Sequence, residues 1–485
     1  MLFNTLPFAA FFIATFVIYY LPFTKRHQVL ILILASFVFY AWTSPILLLL
    51  LLVSGTINAT SSYKVSRSDH KTAYQWASLG VIANLGILGF FKYGSLISNT
   101  AQQVLFHEVR SPVNIPLPIG ISFYTFEGIS LVVDCWRQRK DPSITIPRSA
   151  TIGGHLQNTF LFIVFFPHLI AGPILKARQF LPQIAVKHLA DIKWTVAIRC
   201  LLVGFFLKTV CADNLKDHTF FIHYPEFEVL SSGTALVLLF GYAMQIFSDF
   251  AGYSLIAIGL AKLFGYDFPP NFNFPYLSKT LAEFWSRWHM SLGTWLRDYL
   301  YIPLGGNRLG KNRTLLNLLI VMTLGGMWHG AAWSYLIWGF YHGAGLVVER
   351  LLMPNGLPNN DRPAANAKEL ILNSVHVTLV FVFVCCGWLL FKLPDITQVA
   401  GFITTVLHNW RSGLDITRVA PTLIYSLPVI FYYWWALPRV RQWRSSGPSS
   451  TKLAFRVLET AALGVAVFSL FNAAGSVGEF IYFQF

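Results

Sequence analysis

Leu315-Leu316-Asn317-Leu318-Leu319-Ile320-Val321-Met322-Thr323-Leu324-Gly325-Gly326-Met327 carries no charge, and its polar side chains are Asn317 and Thr323. The basic loop Arg308 to Arg313 precedes it. Trp328-His329-Gly330 follows, and a second apolar run, Trp333 to Val348, comes next. An apolar run of about 20 residues marks a membrane helix, and shorter runs need polar flanks to complete a span. The same pattern recurs along the chain, at Phe8 to Tyr20, Val29 to Tyr40, Pro45 to Ile57, Trp76 to Phe91, Ile152 to Ile170 and Leu201 to Val210. It continues at Thr234 to Phe247, Ser374 to Phe391, Pro421 to Trp435 and Leu458 to Phe471. Roughly ten to thirteen membrane or re-entrant segments follow from these runs. The fold class is therefore all-α and polytopic, with residues 1–485 read as a single integral membrane domain.

Composition agrees. Of 485 residues, 55% are hydrophobic and only 12% are charged, where a soluble chain has about a quarter charged. The net charge of +15 does not point to nucleic acid, because the cations sit in short loops: Lys25-Arg26, Lys64 to Lys71, Arg137 to Lys140, Lys176 to Arg178, Arg308 to Arg313 and Arg439 to Arg444. That is the bias of cytoplasmic loops. The first span has no basic residue before it, a basic cluster after it and no small-residue cleavage site. It reads as a retained span with the N-terminus outside. Cys135, Cys200, Cys211, Cys385 and Cys386 lie in or beside apolar segments without metal-ligand spacing, and are expected as free thiols. Polar stretches at Met353 to Lys368 and Pro438 to Lys452 read as loops. No internal repeat is visible, which weakens a transporter reading.

Thr280 to Tyr301 is neither plain span nor loop. Thr280 with Glu283 three residues on is a capping-box start. Trp285, Trp288, His289, Leu292, Leu296 and Tyr299 then recur on one helical face, with Arg287, Ser291, Thr294 and Asp298 on the other. The spacing predicts one amphipathic helix, closed by Pro303 and Gly305-Gly306, suited to a membrane interface or a polar funnel wall. His289 stands where a purely structural helix would place Leu or Phe.

Ionisable side chains in membrane segments are costly and mark bundle interiors or water-filled cavities. Lys92, Glu127, Asp134, Asp249, His289, His329 and His342 qualify, with His168 a weaker addition. His329 leads, because small residues surround it and an imidazole is able to take a proton from a hydroxyl near neutral pH. Periodicity does not separate that role from a histidine hydrogen-bonded to a neighbouring helix. Asp249 and Tyr253 fit the same polar interior or a helix–helix hydrogen bond. No P-loop, dinucleotide fingerprint, His-Glu-x-x-His motif or Gly-x-Ser-x-Gly elbow is present in the sequence.

Several blocks together resemble the membrane-bound O-acyltransferases, in their bacterial, alginate O-acetyltransferase-like branch. They are Phe39 to Trp42, Phe90 to Tyr93, Leu117 to Glu127, Phe166 to Pro173, Glu283 to His289, Trp295 to Tyr301 and Gly325 to Gly330. After about Glu349 only hydropathy matches. The resemblance implies helices around a central tunnel through a thinned bilayer, with His329 as the catalytic histidine and His289 as the second characteristic polar residue. Trp285, Arg287 and Trp328, beside these histidines, are expected to bind substrate with Asp249 and Tyr253. The donor implied is cytoplasmic acetyl-CoA, with no tightly bound cofactor and no metal. The acceptor implied is a hydroxyl of an extracellular or periplasmic polysaccharide, reached through an esterase-like partner, from a protein embedded in the lipid of a bacterial inner membrane. A transporter of an acyl or lipid-linked carrier, or a non-catalytic scaffold, are the rival readings. If a helix starts near Thr314, His329 lies roughly 22 Å along it, deep in an apolar core about 30 Å thick.

The charge pattern makes a topological prediction. Single cysteines placed in Lys64 to Lys71 and in Arg308 to Arg313 are expected to resist a membrane-impermeant thiol reagent until cells are lysed. Labelling of either loop in intact spheroplasts reverses the orientation.

Overall fold

The computed structural model describes residues 1–42, 45–107, 112–170, 172–353, 366–410, 413–446 and 448–472. All regular structure among them is helical. In lipid, a helix satisfies its own backbone polar groups, which is why apolar runs adopt it. Among the described residues, six helices are long and apolar enough to cross a membrane: Pro45–Arg67, His70–Phe106, Trp194–Ile222, Ser232–Leu263, Ala367–Lys392 and Ser449–Asn472. A seventh span arises if Leu6–Tyr20 and Pro22–Ala41, bent by 95°, count as one. The other apolar runs form shorter or more polar helices.

By packing, the chain divides into two compact units: Met1–Cys200 with Ile256–Pro269, and Leu201–Leu255 with Pro270–Phe485. Both are built from apolar helices, so no change of composition announces the division. The first unit contains α1 (Leu6–Tyr20), α2 (Gln28–Ala41), α3 (Pro45–Arg67), α4 (His70–Leu88), α5 (Gly94–Phe106), α6 (Ile121–Arg137) and α7 (Ile152–Val164). Helices α3 and α4 are joined by a buried amide pair, with Asn84 Nδ2 donating to Asn58 Oδ1 at 2.8 Å and Asn58 Nδ2 to Asn84 Oδ1 at 3.2 Å. A side chain at Gly128 of α6 would strike the Asn58 amide, so a small residue is required there. Two of the ionisable candidates also meet in this unit. His168 Nδ1 lies 2.9 Å from Glu127 Oε1, and both side chains are fully buried. Lys92 Nζ donates to Ser122 Oγ at 3.1 Å.

In chain order the helices continue with α8 (Trp194–Phe205), α9 (Asp213–Thr219), α10 (Ser232–Leu263), α11 (Leu281–Arg287), α12 (Met290–Leu296), α13 (Lys311–His329), α14 (Trp333–Leu352) and α15 (Ala367–Lys392). They end with α16 (Ile396–His408), α17 (Ile416–Trp435), α18 (Pro438–Ser446) and α19 (Ser449–Asn472). Two sequence expectations change. Thr280 to Tyr301 is not one helix: α11 stops at Arg287, and α12 begins at Met290. Pro438 to Lys452, expected as a loop, contains α18 and the first turn of α19. Most of the expected loop Met353 to Lys368 lies outside the described residues.

Helices α13 and α14 approach backbone to backbone. A Cβ on Gly326 would lie 2.3 Å from Tyr335 O and 2.7 Å from Gly339 Cα, and one on Gly339 would lie 2.4 Å from Met322 O. Small residues permit such contacts in membrane bundles. The neighbours are backbone atoms, so a larger side chain must push the helices apart. Gly339→Leu is therefore expected to cost about 1–3 kcal/mol, read as a lowered thermal midpoint in detergent. An unchanged midpoint contradicts this crossing.

Candidate active site

The break between α11 and α12 builds the site. Thr280 Oγ1 accepts the Glu283 N–H at 3.0 Å, and Glu283 Oε2 accepts the Lys279 N–H at 2.7 Å. The sequence-predicted cap thus starts α11. Arg287 Nη2 closes the turn on Glu283 Oε1 at 2.6 Å. His289 then adopts the left-handed conformation, φ 44° and ψ 53°, which is uncommon for a bulky residue. Asn271 holds the turn from outside: its carbonyl accepts the Met290 N–H at 2.9 Å, and its Oδ1 accepts the Ser291 N–H at 3.3 Å. Asn271 Nδ2 donates to Ser254 Oγ on α10 at 3.0 Å.

His329 arrives from the opposite direction as the last residue of α13. From Lys311 it lies about 27 Å along the helix, somewhat farther than a start at Thr314 implies. Gly330 is extended, and a Cβ there would lie 2.2 Å from the Tyr335 ring. The helix therefore ends at the imidazole.

The two imidazoles meet, with ring centroids 6.2 Å apart. Phe250 stands edge-on to His289 at 4.5 Å. Trp338 and Phe391 face His329 at 5.1 and 5.6 Å. Trp328 lies 5.8 Å from the His289 ring and 5.1 Å from that of His329. Both histidines line one cavity of about 490 Å³. Its wall includes Trp285, Trp338, Thr294, Met322 and Gly325, with Arg297, Arg350, Tyr301 and Asn307 as polar members. His289 belongs to none of the spanning helices, and burial pushes its imidazole down to about 3, which keeps the ring neutral. A neutral imidazole carries one N–H donor and one acceptor nitrogen, so His289 is able to offer either to a molecule in the cavity it shares with His329.

Of the other expected site residues, Trp285 lines the cavity. Trp328 packs against both histidines, and Arg287 pairs with Glu283. Asp249 and Tyr253 are not among the residues lining the cavity. Lys208 Nζ lies 2.7 Å from both Asp249 Oδ1 and Asp213 Oδ1, with all three side chains buried, and sits 5.3 Å above the Tyr253 ring. A buried carboxylate is tolerable beside such a partner, and this explains Asp249 without substrate. Asp249 adjoins Phe250, so the lock also fixes the ring against His289. His342, fully buried, packs against Trp285 and Trp338 at 5.0 Å each, behind the cavity wall.

Sequence reasoning missed Lys208, Asn271, Trp338 and Phe391. Lys208 carried a signal, a lone cation inside the apolar run Leu201 to Val210. Asn271 lies in a Pro- and Asn-rich stretch with no periodicity.

The chain is thus a polytopic helical membrane protein whose second unit holds two histidines on one cavity. The model of the MBOAT, membrane-bound O-acyltransferase family, matches residues 153–391, which include both histidines. A probable alginate O-acetylase AlgI of Pseudomonas aeruginosa is 38% identical over 410 residues, 82% of this chain and 73% of that protein. One from Pseudomonas putida is 34% identical over the full length of both. A peptidoglycan O-acetyltransferase of Helicobacter pylori is 35% identical over 66% of this chain and 64% of its own. The chain belongs to the membrane-bound O-acyltransferase family and is an O-acyltransferase.

The lock yields a prediction. Lys208→Met leaves two buried carboxylates without their cation, and breaking such a pair costs about 3–5 kcal/mol. Purified Lys208→Met is expected to lose most of its thermal stability, and the Lys208→Met/Asp249→Asn/Asp213→Asn combination to recover part of it. A single variant as stable as the parent contradicts the lock.

Proposed function

We propose that the protein moves an acetyl group from a cytoplasmic thioester, acetyl-CoA, to a hydroxyl destined for a polysaccharide on the far side of a bacterial inner membrane. The observation that carries this reading is the single cavity lined by both His289 and His329. His329 accepts the proton of the acceptor hydroxyl as its oxygen attacks the thioester carbonyl. The tetrahedral intermediate places negative charge on the former carbonyl oxygen, which the neutral His289 N–H stabilises. Collapse forms the ester, breaks the C–S bond and passes the proton from His329 to the departing thiolate. The aromatic wall of Trp285, Trp288 and Trp338 limits water, and with it wasteful hydrolysis. Arg297 and Arg350, on the same cavity, suit the phosphates of the donor.

The names of the relatives support an acetylated polysaccharide acceptor, with an alginate-like exopolysaccharide ahead of peptidoglycan. A periplasmic or extracellular esterase-like partner that receives the acetyl group fits an enzyme whose own chemistry ends within the membrane. The orientation proposed keeps the N-terminus outside and the Arg308 to Arg313 loop in the cytoplasm, as the charge bias favours.

Reconstituted protein with labelled acetyl-CoA tests the reading against its rivals. An O-acetyltransferase releases CoA in proportion to acetylated acceptor, a transporter moves unaltered substrate, and a scaffold does neither. His329→Ala is expected to lower turnover by about 100-fold or more, the usual worth of a general base, while remaining folded and inserted. Retention of more than about a tenth of turnover excludes the general-base role.

A further inference from the structure

The second pocket of note lies far along the chain from both histidines, between α18 and α19. It measures about 440 Å³, and Arg441, Arg444, Lys452 and Arg456 surround it with a single carboxylate, Glu459. The excess of cations is held in place. The Arg444 guanidinium lies 4.4 Å above the Trp435 ring, and Trp435 in turn meets Phe455 of the pocket wall edge-on at 5.4 Å. The Arg441 guanidinium lies 5.4 Å from the centre of the Phe274 ring. Stacked guanidiniums keep their N–H edges free to fork onto phosphate or carboxylate oxygens. Like charges gathered this closely repel one another, and an anion between them relieves that repulsion.

The helix that supplies Lys452 and Arg456 identifies the kind of anion. α19 is apolar enough to span a membrane, yet only 6% of its apolar window is buried by the rest of the described chain. Leu453 and Val457 alternate with the pocket's cations and are 62% and 61% exposed. A soluble phosphate ester uses the cations and leaves these apolar side chains in water. A phospholipid uses both, its headgroup in the pocket and its chains along Leu453 and Val457. Trp435 stands at the same end of α17, where aromatic rings favour the headgroup level.

We infer that the α18–α19 pocket binds the phosphate of an anionic phospholipid. Arg441, Arg444, Lys452 and Arg456 are its ligands, and the exposed start of α19 is its acyl-chain contact. None of these residues takes part in the proposed acyl transfer, so this inference and that reading fail independently.

The full chain, in nanodiscs of mixed phosphatidylcholine and phosphatidylglycerol, tests it by the phosphatidylglycerol retained on mild delipidation, measured by native mass spectrometry. Wild type is expected to retain phosphatidylglycerol preferentially. Lys452→Gln/Arg456→Gln is expected to weaken retention about fivefold per cation removed, with monodisperse elution unchanged because neither side chain is buried. Arg444→Lys keeps the charge but loses the planar fork, and is expected to fall between the two. Equal phosphatidylglycerol retention by wild type and the neutralised variant overturns the proposal. So does displacement of the bound lipid by glycerol 3-phosphate at low millimolar concentration, which would make the pocket a site for soluble phosphate esters.

Discussion

A left-handed turn at His289 is the constraint on which the candidate site depends. Such a conformation costs a bulky side chain about 1–3 kcal/mol and persists only where its surroundings over-determine it. Here Asn271 does so, with its carbonyl and Oδ1 taking the N–H groups of Met290 and Ser291. The turn splits one amphipathic stretch into α11 and α12. It also brings His289 to 6.2 Å from His329, an imidazole at the end of a helix some forty positions later.

The surrounding structure divides between approach and support. Gly326 and Gly339 let α13 and α14 touch along their backbones, and Trp338 of α14 then reaches the ring at the end of α13. Lys208, between Asp213 and Asp249, anchors the part of α10 that presents Phe250 to His289. The first unit follows the same logic with Glu127 and His168. In both clusters a buried ionisable group stands beside a polar partner, as a low-dielectric interior requires.

Much of this was legible in the sequence. Hydropathy read the helical class, and the cap at Thr280 was visible in its spacing with Glu283. The motif blocks singled out His289 and His329. The helix break was not legible, because aromatic periodicity runs straight across Trp288 and His289, and no glycine marks the left-handed residue. For Asp249 the sequence left two readings open, a substrate-lined interior shared with Tyr253 and a helix–helix polar contact. Its partner Lys208 lies on another element, and only the fold joins them. Phe391 lies where the sequence offered hydropathy but no motif, so its contact with His329 had no sequence signal. Short apolar runs also look alike in sequence whether they cross a membrane or fold back within a bundle.

The central claim is that His289 and His329 act on one reacting group. A double-mutant cycle in the acetyl-transfer assay, using His289→Gln, His329→Gln and the pair together, addresses it most directly. Residues that serve the same transition state are strongly non-additive. The account predicts that the double variant is scarcely slower than the worse single variant. If the two losses instead multiply, the histidines act independently, and the shared-cavity mechanism is wrong.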